Sequence, residues 1–155
     1  MTSAQNRVEV LHGVNLDMLG KRDPEHYGTL TLIELEVRIR HWARQMSLEV
    51  SFFQTNFEGE YVERLHLMPE LADALIVNPG AWTHYSFAIR DALEIAAKPT
   101  IEVHLSDVDS RDDWRRKSVI ADLVMARVSG KGPDGYREAL ERIAAELGVS
   151  PPSAA

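Results

Sequence analysis

The stretch Ala74-Leu75-Ile76-Val77-Asn78-Pro79-Gly80-Ala81-Trp82-Thr83-His84 changes character at one point. Four apolar residues stop at Asn78, Pro79-Gly80 forces a bend, and Thr83 or Ser86 can cap the helix pattern that follows. A short apolar strand, a polar turn and then a helix is the repeating unit of a parallel sheet with helices on both faces. The same transition occurs three more times. Arg7-Val8-Glu9-Val10-Leu11 runs into His12-Gly13-Val14-Asn15, and Leu48-Glu49-Val50-Ser51-Phe52-Phe53 runs into Gln54-Thr55-Asn56-Phe57-Glu58-Gly59. Thr100-Ile101-Glu102-Val103 runs into His104-Leu105-Ser106-Asp107. Small molecules bind open α/β sheets in the crevice beyond the carboxyl ends of the strands. Four polar clusters are therefore expected to converge on one pocket.

Outward from these strands the alternation continues. Thr31-Leu32-Ile33-Glu34 reads as a capping box. It opens a helix to about Ser47, with Leu32, Leu35, Ile39, Trp42 or Ala43, and Met46 at helical spacing. A second helix is expected from Gly59 to Met68, stopping before Pro69. A third runs from Tyr85 to about Ala97. A fifth strand falls near Ala126 to Ser129, and a last helix runs from Asp134 to Leu147, ending at Gly148. With no repeat and no linker, residues 1–155 read as one catalytic domain, an α/β doubly wound sheet of parallel strands with helices on both faces. Residues 1–6 and 149–155 are expected to be frayed tails.

Composition narrows the function. The chain of 155 residues is 45% hydrophobic and 26% charged, an ordinary soluble balance, and has a net charge of −7. That charge argues against a nucleic-acid partner, which needs a basic excess to displace phosphate counterions. It leaves room for a local cationic pocket. There are no cysteines, hence no disulfides and no thiolate metal sites. No apolar run is long enough to span a bilayer, and Met1 to Asn6 lacks the apolar stretch of a signal peptide. No membrane association is expected, and the cytoplasm is the default location.

The chemistry-bearing residues cluster after the strands. In the fourth strand, side chains alternate faces, so Glu102 and His104 share one face. A carboxylate inside a central strand needs a partner. One that fixes the orientation of an imidazole is a recurring device for general acids, although a purely structural pair would look the same. The connection from Gly13 to Leu30 is long for a βα loop and carries Asn15, Lys21, Arg22, Asp23, His26 and Tyr27. Loops of that length are commonly lids or binding loops. A free phenol titrates near 10, so a tyrosine acting as base at neutral pH requires about 3 kcal/mol of preferential stabilisation of its phenolate. Arg22, five residues before Tyr27, can supply a permanent charge, although a loop tyrosine taken alone is more often a packing residue. On a short helix, Arg111 and Arg115 of Ser110-Arg111-Asp112-Asp113-Trp114-Arg115-Arg116-Lys117 would share a face and suit a carboxylate; a solvated, ion-paired helix fits equally. Asn78 and His84 become polar pocket walls. His26, His41 and His66 read as surface residues, and no histidine–carboxylate spacing has the form of a metal site.

Taken together and in order, these residues resemble the type II 3-dehydroquinate dehydratases from Val8 to Leu147. The resemblance rests on Asn15-Leu16 with Leu19-Gly20-Lys21-Arg22-Asp23-Pro24 and Tyr27-Gly28, and on Asn78-Pro79-Gly80-Ala81 with Thr83-His84. It continues through Arg90-Asp91-Ala92, Ile101-Glu102-Val103-His104-Leu105-Ser106, Arg111 with Arg115, and Gly135-Tyr136. It implies a flavodoxin-like fold with a five-stranded sheet, no metal, no cofactor, and trimers grouped into dodecamers. It also implies roles. Tyr27 would be the base, held as phenolate by Arg22, and Asn15 would position a water against the enolate. His104, oriented by Glu102, would protonate the departing hydroxyl, with Arg111 a second arginine near the lid. Asn78, His84 and Arg115 would bind substrate polar groups, the amides of Leu105 and Ser106 would receive its carboxylate, and Asp91 would reach across a trimer interface. The implied reaction serves both aromatic amino-acid biosynthesis in the shikimate pathway and quinate catabolism. The chain departs from the family pattern at His12, Val14, Phe57, Asp107 and Asp109, and the two aspartates bring negative charge toward the pocket. Competing readings are a paralogue acting on a related cyclic hydroxy-ketone acid and a flavodoxin-like binding module. The latter would want a phosphate-cradling or acidic loop where Val14-Asn15-Leu16-Asp17 stands.

Overall fold

The structure, a computed structural model, describes residues 5–152. Five strands, β1 (Arg7–His12), β2 (Glu49–Gln54), β3 (Ala74–Asn78), β4 (Thr100–His104) and β5 (Ala126–Ser129), form one sheet. The order is β2-β1-β3-β4-β5 and every pairing is parallel. This is the flavodoxin-like order, in which the direction of winding reverses between β1 and β3. β3 and β4 are buried along their whole length, as central strands covered on both faces should be.

Strand alternation sorts the core into two layers. Val8, Val10, Ile76, Ile101 and Val103 face one side and pack under α2 (Leu32–Gln45) and α5 (Asp134–Leu147). Leu11, Leu75 and Val77 face the other, under α3 (Glu58–Leu71) and α4 (Phe87–Ala96). The first layer takes Leu35, Ile39 and Ala43 from α2, spaced one helical turn apart. The second takes Tyr61, Leu65 and Met68 from α3. Among the described residues, no helix is long and apolar enough to cross a membrane.

Most boundaries follow local chemistry. Thr31 caps α2, its Oγ1 accepting from the Glu34 amide at 3.2 Å while its hydroxyl donates to the Glu34 carboxylate at 3.1 Å. Ser86, rather than Thr83, caps α4, which begins at Phe87 after a 3-10 turn over Gly80–His84. α5 ends on Gly148, whose left-handed φ of +68° lets its amide return to the preceding turn.

Three expectations are corrected. α3 does not stop before Pro69 but continues to Leu71. The ring removes one donor in the last turn only, where little remains of the helix to break. The run from Ser110 to Lys117 is not a short helix: two 3-10 turns, Val108–Ser110 and Asp113–Arg115, flank an extended Arg111. Not all of 1–6 and 149–155 is loose. Residues 1–4 and 153–155 lie outside the described residues, but the Asn6 side chain donates to the Ser47 carbonyl at 3.0 Å and its own carbonyl accepts from Glu49. The Val149 amide donates to the Ala144 carbonyl at 2.9 Å and its side chain packs on the core.

Candidate active site

At the carboxyl ends of β1, β3 and β4 the connecting loops enclose a cavity of about 100 Å³. The loops after β1 and β3 cross there at close range. A Cβ at Gly13 would lie 2.2 Å from the Pro79 carbonyl oxygen, so only glycine fits. This crossing sets Val14 and Asn15 beside Gly80 and Ala81 in the wall. Asn15 adopts a left-handed φ of +68°, which asparagine tolerates better than most residues. Its amide donates to Asn56 Oδ1 at 2.8 Å. The polar cluster after β2 therefore does not line the cavity, against expectation: Gln54 and Asn56 brace the first loop from behind.

The long connection after β1 holds a 3-10 turn, Leu16–Met18, and one short helix, α1 (Pro24–Tyr27), capped by Asp23. It places Tyr27 in the cavity with Oη accepting two hydrogen bonds from guanidinium groups. Arg22 Nη2 donates at 2.8 Å and Arg111 Nη1 at 2.7 Å. Two permanent charges therefore converge on one phenol oxygen. Arg115 adds a third guanidinium to the wall, and its buried Nε has no hydrogen-bond partner among the described residues. Burial first, then the Arg111 charge, lowers its pKa from the usual arginine value. A chain of net charge −7 thus gathers three cations at one cavity, the composition expected of an anion site.

His104, at the end of β4, lines the same cavity. Its Nε2 lies 2.6 Å from Glu102 Oε2. Glu102 is fully buried and also accepts from the Thr83 hydroxyl and, at 2.7 Å, from the Ser118 hydroxyl. Burial alone would push its carboxyl up. The hydrogen bond and charge of His104, then those hydroxyls, outweigh burial and hold it below the usual glutamate range. His84 Nδ1 is 2.7 Å from the Lys117 carbonyl oxygen, which can only accept, so Nδ1 carries a proton. Burial, reinforced by the charges of His104, Arg115 and Arg127, lowers the His84 pKa against the pull of that carbonyl. The favoured neutral ring leaves Nε2 with a lone pair for a donor hydroxyl. Asn78 Nδ2 donates to the buried Tyr136 hydroxyl at 3.2 Å, which fixes the amide in the cavity floor.

Residues 6–144 match the family described as dehydroquinase class II. The chain belongs to that family. Among its relatives is the 3-dehydroquinate dehydratase of Syntrophotalea carbinolica, 51% identical over 84% of this chain and 88% of the relative. The 3-dehydroquinate dehydratase of Pelotomaculum thermopropionicum is 47% identical over 92% of this chain and 99% of the relative. The crystal structure of the type II dehydroquinase from Propionibacterium acnes superposes with a TM-score of 0.86 at 35% identity, covering 93% of this chain and 99% of that one.

In this class II dehydroquinase the cavity gathers all but two of the site residues expected from sequence: Asn15, Arg22, Tyr27, Asn78, His84, His104, Leu105, Ser106, Arg111 and Arg115. Glu102 stands behind His104 rather than in the wall. Asp91 lies exposed on α4, outside the cavity of its own chain. The carbonyls of Leu105 and Ser106 accept from the amides of Gly132 and Gly130, which fixes the orientation of both peptides. Sequence reasoning missed the hydroxyls of Thr83 and Ser118 on Glu102, and it missed Arg127, 3.6 Å from the same carboxylate. The available signal was an arginine inside the apolar run of β5, next to the strand that carries a buried glutamate. Among the described residues, no three His, Asp or Glu side chains are grouped to hold a metal ion.

Proposed function

We propose that this chain is a 3-dehydroquinate dehydratase, which converts 3-dehydroquinate to 3-dehydroshikimate by an anti elimination through an enolate. Tyr27 takes the proton from the carbon beside the ketone while Arg22 and Arg111 carry the phenolate charge. The electrons of the broken C–H bond pass to the ketone oxygen, where a water positioned by Asn15 stabilises the enolate. Collapse of the enolate expels the hydroxyl, which takes the proton of His104 and departs as water. Glu102 orients His104. The substrate carboxylate sits on the amides of Leu105 and Ser106. Asn78, His84 and Arg115 hold its remaining polar groups. No step calls on a resident cofactor or metal.

One observation carries this reading: Tyr27 Oη accepts from two guanidinium groups in the same cavity that His104 lines. A candidate base and a candidate acid lining one cavity are the pair that elimination of water requires. The reading extends to assembly as trimers grouped into dodecamers in the cytoplasm. Asp91 of one subunit then reaches a neighbouring site from α4, where Phe87 and Ile95 are exposed apolar side chains. Adding 3-dehydroquinate to the purified protein and following near-ultraviolet absorbance tests the activity, because the product is a conjugated enone. Growth of that absorbance is expected. No signal with 3-dehydroquinate, but turnover of another cyclic hydroxy-ketone acid, would replace this substrate with that one.

A further inference from the structure

Arg127 is a cation that the proposed reaction leaves unused. It lies opposite Glu102 in the β4–β5 register, so both side chains project from the same face of the sheet. Its Nε is 3.6 Å from Glu102 Oε2, the oxygen that also binds His104. Its other partners are a backbone carbonyl and an exposed carboxylate. Nη1 donates to the Arg116 carbonyl at 3.1 Å and lies 3.9 Å from Asp109, an exposed carboxylate screened by solvent. Among the described residues, Nε and Nη2 are buried without a hydrogen-bond partner. A guanidinium held this way relies on the field of a nearby anion, and the unscreened one is Glu102.

We propose that Arg127 is a positioning residue that acts through Glu102 to set how readily His104 releases its proton. Glu102 alone would bind the imidazolium strongly and make it a reluctant acid. A guanidinium sharing the same oxygen draws off part of that attraction, and it repels a proton on His104 directly. Both effects favour transfer to the departing hydroxyl. The other charged or titratable groups around His104 are His84 from the turn after β3, Arg111 and Arg115 from the turns after β4, and Arg22 and Tyr27 from the long connection. These line the cavity. Arg127 approaches instead through Glu102, from the neighbouring strand.

The proposal rests on the acid role assigned to His104, so its test has one arm that needs no turnover. In the ligand-free full chain, the His104 imidazole is titrated by NMR in the parent, Arg127→Met and Arg127→Lys. The expected result is an upward move of about one pH unit in Arg127→Met, mostly reversed in Arg127→Lys. The basic limb of kcat against pH moves the same way, with KM changed less than about twofold. Coincident His104 titrations in parent and Arg127→Met would overturn the proposal, as would equal moves in the Met and Lys variants, which would mark a packing effect. If Arg127→Met does not fold, Asp109→Asn removes the opposing surface charge. It is expected to move the His104 titration downward by a few tenths of a unit, and no move or an upward one overturns the proposal. Failure of the parent to turn over 3-dehydroquinate would count against the function proposed above and leave the NMR arm to decide this point.

Discussion

Arg111 Nη1 lies 2.7 Å from Tyr27 Oη, although 84 residues separate them in sequence. Local spacing pointed to Arg22 alone as the partner of this phenol. The structure brings a second guanidinium from the loop after β4, so the phenol is clamped by arginines from two distant loops.

Arg111→Ala and Arg22→Ala should each lower kcat by about 10²- to 10³-fold, the usual cost of removing one preorganised donor. Both donors serve one oxygen, so the double variant should lose less than the product of the two single losses. Steady-state kinetics of the three variants by enone absorbance checks this. Full multiplicativity would mean that the arginines act on separate groups.

The fold was largely legible because Gly, Pro and capping residues punctuate the chain wherever the apolar period changes. Ala126–Ser129 and Asp134–Leu147 lie where pattern placed them, bounded by Gly130 and Gly148. Pro69 misled because a proline ends a helix only if enough helix remains beyond it to disrupt, and here two residues follow. Within the site, neighbours along the chain were readable, as with Glu102 and His104. Arg127 reaches the same carboxylate through strand register, and Thr83 and Ser118 reach it from loops folded back over β4, which no local pattern encodes.

His84 should keep its neutral form to more acidic pH than an ordinary histidine, because burial and the surrounding cations lower its pKa. The sign follows from linkage: a depressed histidine contributes stability above its unfolded value of about 6.5, and that contribution is lost as pH falls through the folded value. The proposed substrate contact through its Nε2 lone pair likewise requires the neutral ring. The ratio of KM in His84→Gln to KM in the parent should therefore stay constant from neutrality down to about 6.5 and shrink only at lower pH. Measured pH profiles of KM check it, and a ratio that collapses above that value would refute the assignment.

Gly13→Ala should destabilise the protein by about 1–3 kcal/mol, because the added methyl meets the Pro79 backbone, which has no rotamer with which to yield. The loss should appear in denaturant midpoints. It should be accompanied by a higher KM, since parting the two loops displaces Asn15 and Gly80 from each other in the cavity wall. Unchanged stability would mean that the loops part freely.

The most direct test of Tyr27 as the base separates proton abstraction from loss of water. His104→Ala, incubated with 3-dehydroquinate in D₂O, should make product several orders of magnitude more slowly than the parent while still exchanging hydrogen for deuterium beside the ketone. His104→Ala/Tyr27→Phe, confirmed folded by circular dichroism, should lose that exchange. Exchange that persists without the phenol oxygen would contradict the account, because some other group would then be removing the proton.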